Sequence, residues 1–290
     1  MKIIITGASG FLGSYLLKSF VNSRHEVIAL KRITSTTYRI ESYLEKVTLY
    51  DIDKVNLEDI FKNHKIDIVI NTVTNYGRKD SKVSSIVDTN LIFGLKLLEE
   101  CVNNNVKAFI NTDTSLDRNI NAYALSKSQL VDWMKFLSNK NTKIINIKIE
   151  YMYGPLDDEN KFIYWLINQL KQNVKKIDLT SGIQKRDFIY IDDIVSAYEI
   201  IVKNIDSFPN DEEFELGSGN SIEVKKFIEL IVEELQTKIK IDTNLNFGAI
   251  SYRNNENMEM KANIKKLNEL GWKSEVSLRN GIKNIIDKKN

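Results

Sequence analysis

Cysteine, proline and histidine are almost missing from this chain, at one, two and two among 290 residues. The lone cysteine, Cys101, has no partner in the chain, so an intrachain disulfide framework is excluded. His25 and His64 stand beside Arg24 and Lys65, a setting for solvated loops rather than for a zinc site or a nucleophilic triad, and no metal is expected. With two prolines and 12 glycines there is no linker-like or repetitive tract. An excess of one charge is also missing: 41 Lys+Arg against 39 Asp+Glu leave +2, which gives no electrostatic footprint for nucleic acid. Apolar runs extend only a few residues, against the roughly 20 a membrane-spanning helix needs, so no membrane association is expected of the chain itself. Met1-Lys2-Ile3 leads into a strand-like run without the basic head and long apolar core of a signal peptide. A reducing, cytoplasmic compartment is the expectation.

What is present is a charged but packable chain, 28% charged and 42% apolar, long enough for one large or two intimate domains. Short β-branched runs near 2–6, 26–31, 47–50, 66–71, 106–111 and 143–149 alternate with helical periodicities near 11–22, 56–63, 86–104 and 121–140. The third of these helices carries Ile86, Asn90, Phe93, Leu97 and Leu98 at three-to-four spacing. Alternation of this kind predicts an α/β fold, a doubly wound parallel sheet covered on both faces. After Tyr153-Gly154-Pro155 it loosens into amphipathic segments near 159–172, 192–204, 222–236 and 277–287, joined by short strand candidates. The expected division is a first domain over 1–155 and a smaller C-terminal α/β lobe over 156–290, with some crossing of the chain between them. Cys101 is expected to be a small buried residue; Trp133, Trp165 and Trp272 are expected in cores or interfaces, and Lys175-Lys176 and Lys288-Lys289 as solubilising charge.

The first strand runs into Gly7-Ala8-Ser9-Gly10-Phe11-Leu12-Gly13, and Leu12, Leu16, Leu17 and Phe20 open a helical pattern at once. Glycine allows a tight turn and close backbone approach, and the helix start aims N–H groups and the positive end of its dipole at a pyrophosphate. Gly7, Ser9, Gly10, Phe11, Leu12 and Gly13 are therefore the expected lining of a dinucleotide site in a Rossmann domain. The second strand ends in Lys31-Arg32, where an NAD site commonly has an acid for the adenosine ribose. Two cations suit the 2′-phosphate of NADP(H), which is expected over NAD(H). Asp51-Ile52, after the third strand, are candidates for the adenine edge.

Tyr123 and Lys127 lie four apart in Asn121-Ala122-Tyr123-Ala124-Leu125-Ser126-Lys127, a segment that reads as the start of a helix, so they share a face. A nearby ammonium is expected to lower the phenol's pKa and fit it for proton exchange with a carbinol or carbonyl oxygen. Behind a glycine turn this pair makes the chain resemble the extended short-chain dehydrogenase/reductase family: the sugar-nucleotide epimerases, dehydratases and ketoreductases. Tyr153-Gly154-Pro155, the run Gly182 to Asp193, Phe214-Glu215-Leu216-Gly217-Ser218-Gly219 and Leu270-Gly271-Trp272 continue the resemblance in order. Within the family, Asn111-Thr112-Asp113-Thr114, Asp157 to Phe162 and Phe247-Gly248-Ala249-Ile250 look most like the CDP-abequose synthase branch, whose members are NADPH-dependent reductases of nucleotide-linked 4-keto-6-deoxy sugars.

The resemblance implies roles residue by residue. Tyr123 would give the proton and Lys127 would hold the nicotinamide ribose. Thr114 would hydrogen-bond the substrate oxygen, with Thr112 as its rival. Arg186 and Arg253 would grip the substrate's pyrophosphate and Glu256 its nucleotide ribose, while Asn160 belongs to the branch-like run and is a further substrate candidate. Departures from the family pattern add others. Asn71-Thr72-Val73-Thr74-Asn75-Tyr76 replaces the usual His-Leu-Ala-Ala, making Thr74 and Tyr76 expected substrate or nicotinamide contacts. Tyr151 stands where the family commonly has Asn. The interval from Thr114 to Tyr123 is shorter than usual, implying a more open mouth. The resemblance also implies a homodimer built on the helices near 86–104 and 121–140.

Three functions stay in view once a 4,6-dehydratase is set aside. Ser115 and Leu116 after Thr114 lack the acids a 4,6-dehydratase uses, which disfavours dehydration. A reductase of a 4-keto sugar in deoxysugar and surface-polysaccharide synthesis is the reading preferred over an epimerase that retains its nicotinamide. A non-catalytic dinucleotide sensor is the third, against which the intact Tyr–Lys pair argues. The nucleotide base is left open among CDP, dTDP, GDP and UDP.

Overall fold

The β-branched runs assemble in the computed structural model, which describes residues 1–78, 81–138, 141–253 and 256–287, into a seven-stranded sheet. Its strands are β1 (Lys2–Thr6), β2 (Glu26–Lys31), β3 (Thr48–Asp51), β4 (Ile68–Asn71), β5 (Ala108–Thr114) and β6 (Lys143–Ile149), with β11 (Asp211–Leu216) at one edge, in the order β11-β6-β5-β4-β1-β2-β3. The pairs from β6 to β3 are parallel. Such strands are buried on both faces, which is why they read as unbroken apolar runs: Ile3, Ile4 and Ile5 are all fully buried. The order reverses about β1, and an open parallel sheet leaves its ligand crevice at the carboxyl ends of the strands at such a point.

The helices follow the sequence periodicity: α1 (Phe11–Asn22), α2 (Leu57–Asn63), α3 (Val83–Val87), a π-helical turn (Asp88–Ile92), α4 (Phe93–Asn103) and α5 (Ala122–Leu137). Leu97, Leu98 and Cys101 of α4 and Leu130, Val131 and Met134 of α5 pack with Ile4, Val69 and Phe109 of the sheet. Burial pushes the Cys101 thiol well up, which suits an inert core residue.

The chain divides into two compact units, one of residues Met1–Ile149 and Ala197–Glu215, the other of Glu150–Ser196 and Leu216–Asn290. Helix α7 (Ile191–Lys203) spans a boundary between them. The second unit is built from small pieces. Strands β7 (Tyr151–Tyr153) and β10 (Phe188–Tyr190) pair in parallel, β9 (Lys185–Arg186) pairs antiparallel with β12 (Ile222–Glu223), and β8 (Lys176–Leu179) pairs in parallel with β13 (Asn244–Phe247). Its helices are α6 (Phe162–Lys171), α8 (Val224–Gln236), α9 (Lys265–Glu269) and α10 (Leu278–Asp287). Phe188 stacks on Phe227 with ring centroids 3.8 Å apart, and Tyr153 packs edge-on against both.

Trp272 is buried, its Nε1–H donating to the Asp193 carbonyl at 3.1 Å, but Trp133 and Trp165 are 45% and 39% exposed. They lie on outer helix faces, where each has a ring partner, Phe136 and Phe162, in place of a core. Lys288 and Lys289 lie outside the described residues.

Candidate active site

The glycine turn has the geometry its composition predicts. Gly7 has φ +61, and the Gly10 N–H closes the turn on the Gly7 carbonyl at 2.8 Å. A Cβ on Gly7 would press on Thr72 Oγ1 at 3.0 Å, and one on Gly13 would collide with the Gly7 carbonyl, so the space over the turn is kept by bare backbone. Gly10 caps α1 without a side-chain hydrogen bond, and Phe11 and Leu12 bury their side chains below. This cradle at a helix start fits a dinucleotide pyrophosphate. Around its adenosine end the cations are arranged differently from the sequence expectation. Lys31 Nζ is bonded to Asp51 Oδ1 at 2.6 Å, so Lys31 and Asp51 neutralise each other. Arg32 is exposed beyond the strand end. Ile52 donates its N–H to the Lys31 carbonyl at 2.8 Å. Arg39, which sequence reasoning missed, is 8% exposed and reaches back to the Ser9 carbonyl at 3.3 Å with its guanidinium over the Tyr38 ring. Nothing in the short polar stretch around it marks Arg39 as more than a solvated residue.

Asn121 accepts the Ala124 N–H at 2.8 Å and so starts α5 at Ala122, which sets Tyr123 in the first turn and Lys127 one turn on. Lys127 is buried, and its Nζ donates to the Thr112 carbonyl at 2.6 Å. Thr114 and Thr74 lie near enough to the Tyr123 phenol to favour its ionised form, against the effect of burial. Thr114 Oγ1 accepts the Leu116 N–H at 3.2 Å, whereas Thr112 Oγ1 is engaged with the Tyr198 hydroxyl at 2.7 Å. Thus Thr114, and not its rival, accompanies the phenol. Tyr76, 37% exposed, lays its ring 5.1 Å from that of Tyr123, with the Arg78 guanidinium 5.2 Å above it.

The expected lowering of the phenol by Lys127 is not what the protein shows. Burial pushes the Tyr123 phenol up; Tyr76 and Asp113 add to this, Thr114 and Thr74 oppose it, and the Lys127 ammonium is bonded to the Thr112 carbonyl. Burial also draws Lys127 down to about 8, with Asp113 opposing it.

Asn90 is a second residue that sequence reasoning passed over. Its Oδ1 accepts the Asn75 N–H at 2.7 Å, and its Nδ2 donates to the Asn75 carbonyl at 2.9 Å and to Ser126 Oγ at 3.0 Å. It thereby ties the Thr74–Tyr76 segment to α5 from within the π-helical turn, the kind of helix irregularity that often marks a functional site. The signal was a buried amide on an otherwise apolar helical stripe.

In the second unit, Arg186, Tyr151, Arg253 and Glu256 come together. Arg186 is 3% exposed; its Nε donates to Tyr151 Oη at 3.1 Å, its Nη1 to the Lys185 carbonyl at 2.7 Å, and its Nη2 to Glu256. Glu256 also holds Arg253 Nε at 2.5 Å, and Arg253 is the more exposed of the two arginines. Asn160 is exposed in the turn before α6. No cluster of His, Cys, Asp and Glu able to hold a metal occurs among the described residues, and no described helix is long and apolar enough to cross a membrane.

A glycine-turn sheet carrying a buried Tyr–Lys pair on α5 defines a dinucleotide-dependent class of enzyme fold. The profile of the NAD dependent epimerase/dehydratase family matches residues 3–217, and the chain belongs to that family. The CDP-abequose synthase of Salmonella muenchen is 34% identical, covering 99% of this chain and 98% of its own length. That of Salmonella typhimurium (strain LT2) is 30% identical over 98% and 97%. Among solved structures, the UDP-glucose 4-epimerase of Thermotoga maritima with UDP-glucose superposes with a TM-score of 0.83 at 21% identity, covering 99% of this chain and 98% of that one. The UDP-glucuronic acid 4-epimerase of Bacillus cereus with UDP-glucuronic acid and NAD gives 0.83, 21%, 99% and 98%.

Proposed function

We propose that this protein reduces the 4-keto group of a nucleotide-linked 4-keto-6-deoxy sugar with NADPH. The observation that carries the reading is the Tyr123–Lys127 pair one turn apart at the start of α5, beside Thr114 at the end of β5 and in the same unit as the glycine turn. A protonated phenol in that place gives its proton to the oxygen on which an alkoxide-like charge grows, as reduction requires. When bound, the reduced nicotinamide supplies the hydride. Tyr123 donates its proton to the keto oxygen, and Thr114, whose oxygen already accepts the Leu116 N–H, has its own hydroxyl hydrogen to offer the same atom. Lys127 holds the nicotinamide ribose. The relatives named CDP-abequose synthase make a CDP-linked sugar the first substrate to try.

Arg186 and Arg253, oriented by Glu256 and Tyr151, are assigned to the substrate's diphosphate. Permanently charged, forked donors suit that group. For the cofactor, Arg32 and Arg39 supply the positive charge for a 2′-phosphate, since Lys31 is matched by Asp51. The protein is proposed to be a homodimer through α3–α5, whose outer face exposes Val83, Leu125, Trp133 and Phe136 at 63%, 40%, 45% and 72%. Incubation with CDP-, dTDP-, GDP- and UDP-linked 4-keto-6-deoxy sugars while following NADPH absorbance tests the activity. Consumption of NADPH with one of them supports it, and no consumption with any contradicts it.

A further inference from the structure

A row of amides crosses the sheet one step below the candidate active site. Thr6, Asn71, Asn111 and Asn146 are in register on β1, β4, β5 and β6, each buried to 3% exposure or less. Thr6 Oγ1 donates to Asn71 at 2.8 Å, Asn71 Nδ2 to Asn111 at 3.1 Å, and Asn111 Nδ2 to Asn146 at 3.0 Å. Asn146 Nδ2 then donates to Asp113 Oδ2 at 3.0 Å and to Glu213 Oε2 at 3.1 Å. The row thus ends on two acids. Glu213 has a cation of its own, Lys148, at 2.7 Å. Asp113 has none within ion-pair distance among the described contacts, although it is only 7% exposed. Along β5 it shares a face with Phe109, which packs against Leu130, Val131 and Met134 of α5, the helix that carries Lys127.

We propose that Asp113 is a positioning residue for the Tyr123–Lys127 pair: fixed by the amide row, its carboxylate is the countercharge that keeps the buried Lys127 ammonium charged beside the Thr112 carbonyl. A buried ammonium with a carbonyl as its bonded partner needs an opposite charge nearby to remain an ammonium. The ionisable groups around Lys127 are Asp113 from β5, Tyr123 one turn earlier on α5 and, across Thr112, Tyr198 of α7; Tyr76 faces Tyr123, and Lys148 of β6, the register partner of Asp113, is ion-paired to Glu213 while also feeling the Asp113 charge. Of these, Asp113 is the acid whose field opposes the downward pull of burial on Lys127. The amide row explains why the carboxylate stays in place: rotating it away would leave one of the two Asn146 Nδ2 hydrogens unpaired, the other being held by Glu213.

This inference rests on the proposed role of Lys127 in holding the nicotinamide ribose, and its test needs no sugar substrate. NADPH binding, followed by nicotinamide fluorescence from pH 6 to 10, is expected to weaken in the unaltered protein as pH rises through about 8, when Lys127 loses its proton. Asp113→Asn keeps an acceptor for Asn146 while removing the charge. It is expected to move that limb at least about one pH unit lower, with affinity at pH 6 within about threefold of the original. Asn146→Ala, which keeps the charge but frees it, is expected to move the limb in the same direction by less, and serves if Asp113→Asn does not fold. A limb that stays where it was in both variants, or affinity lowered by the same factor at every pH, overturns the proposal. If the limb shifts and no keto sugar is reduced, Asp113 keeps its role and the ketoreductase reading fails; reduction with an unmoved limb gives the converse.

Discussion

The two units handle buried polar groups in opposite ways. In the first, reactive side chains stand at strand ends and a helix start, and what surrounds them is mostly neutral: the amide row, the Thr114 and Thr74 hydroxyls, and the Asn90 clasp on Asn75. In the second, carboxylates knit loops together. Asp187, fully buried, accepts from the Ser218 and Gly219 N–H groups at 2.8 and 3.0 Å, from Ser218 Oγ at 2.6 Å and from the Ala262 N–H at 3.2 Å. Asp193 does the same for Ser274, Glu275 and Val276 at 2.8, 3.0 and 3.1 Å. Bonds to a charged acceptor contribute about 1.5–3 kcal/mol each, enough to stand in for the ladders that two-residue strands cannot supply. Regular strands hold atoms to the tolerance that proton transfer needs, whereas a loop-built ionic cluster can present charged forks to a flexible diphosphate.

If that division is right, damage to each unit has its own kinetic signature. Tyr123→Phe, the largest effect, removes the proton donor and should cost about 10²–10⁴-fold in kcat while NADPH binding stays near normal, as measured by turnover and fluorescence titration. Equal loss of binding and turnover would show that Tyr123 positions the cofactor instead. Arg186→Met should raise KM for the nucleotide sugar by about 10–100-fold with kcat much less affected, because it removes a diphosphate contact made throughout the reaction. A fall in kcat alone would place Arg186 in the chemistry. Arg39→Met should lower the preference for NADPH over NADH by about tenfold or more, and Lys31→Met by less, since Asp51 already offsets the lysine. The reverse ranking would restore Lys31 as the phosphate reader. Phe136→Asp, the mildest for chemistry, should shift the mass seen by light scattering from dimer to monomer; a wild-type protein that is itself a monomer removes the dimer proposal.

The same contrast decides what the sequence makes legible. Strands such as Ile3-Ile4-Ile5 and the stripe from Ile86 to Leu98 announce themselves, because burial on two faces or one leaves a periodic trace. The seventh sheet strand does not: Asp211-Glu212-Glu213 is acidic and only Phe214 and Leu216 are apolar, a composition that protects an open edge and reads as loop. The glycine turn and the Tyr–Lys spacing are local patterns and were readable. Arg39, Asn90 and Asp113 act through partners 30, 15 and 33 residues away, and no local pattern reports such distances. The Lys31–Asp51 ion pair, 20 residues apart, is hidden from local pattern for the same reason. In the second unit the arginine cluster needed the family resemblance to be noticed, since neither two-residue strands nor carboxylate-tied loops have a period.

The most direct test of the central claim is the stoichiometry of the reaction. A CDP-linked 4-keto-6-deoxy sugar should be converted to its 4-hydroxy product with one NADPH oxidised per sugar, and Tyr123→Phe should slow both together. Interconversion of two sugar nucleotides without net change in nicotinamide absorbance would contradict the account and make the protein an epimerase.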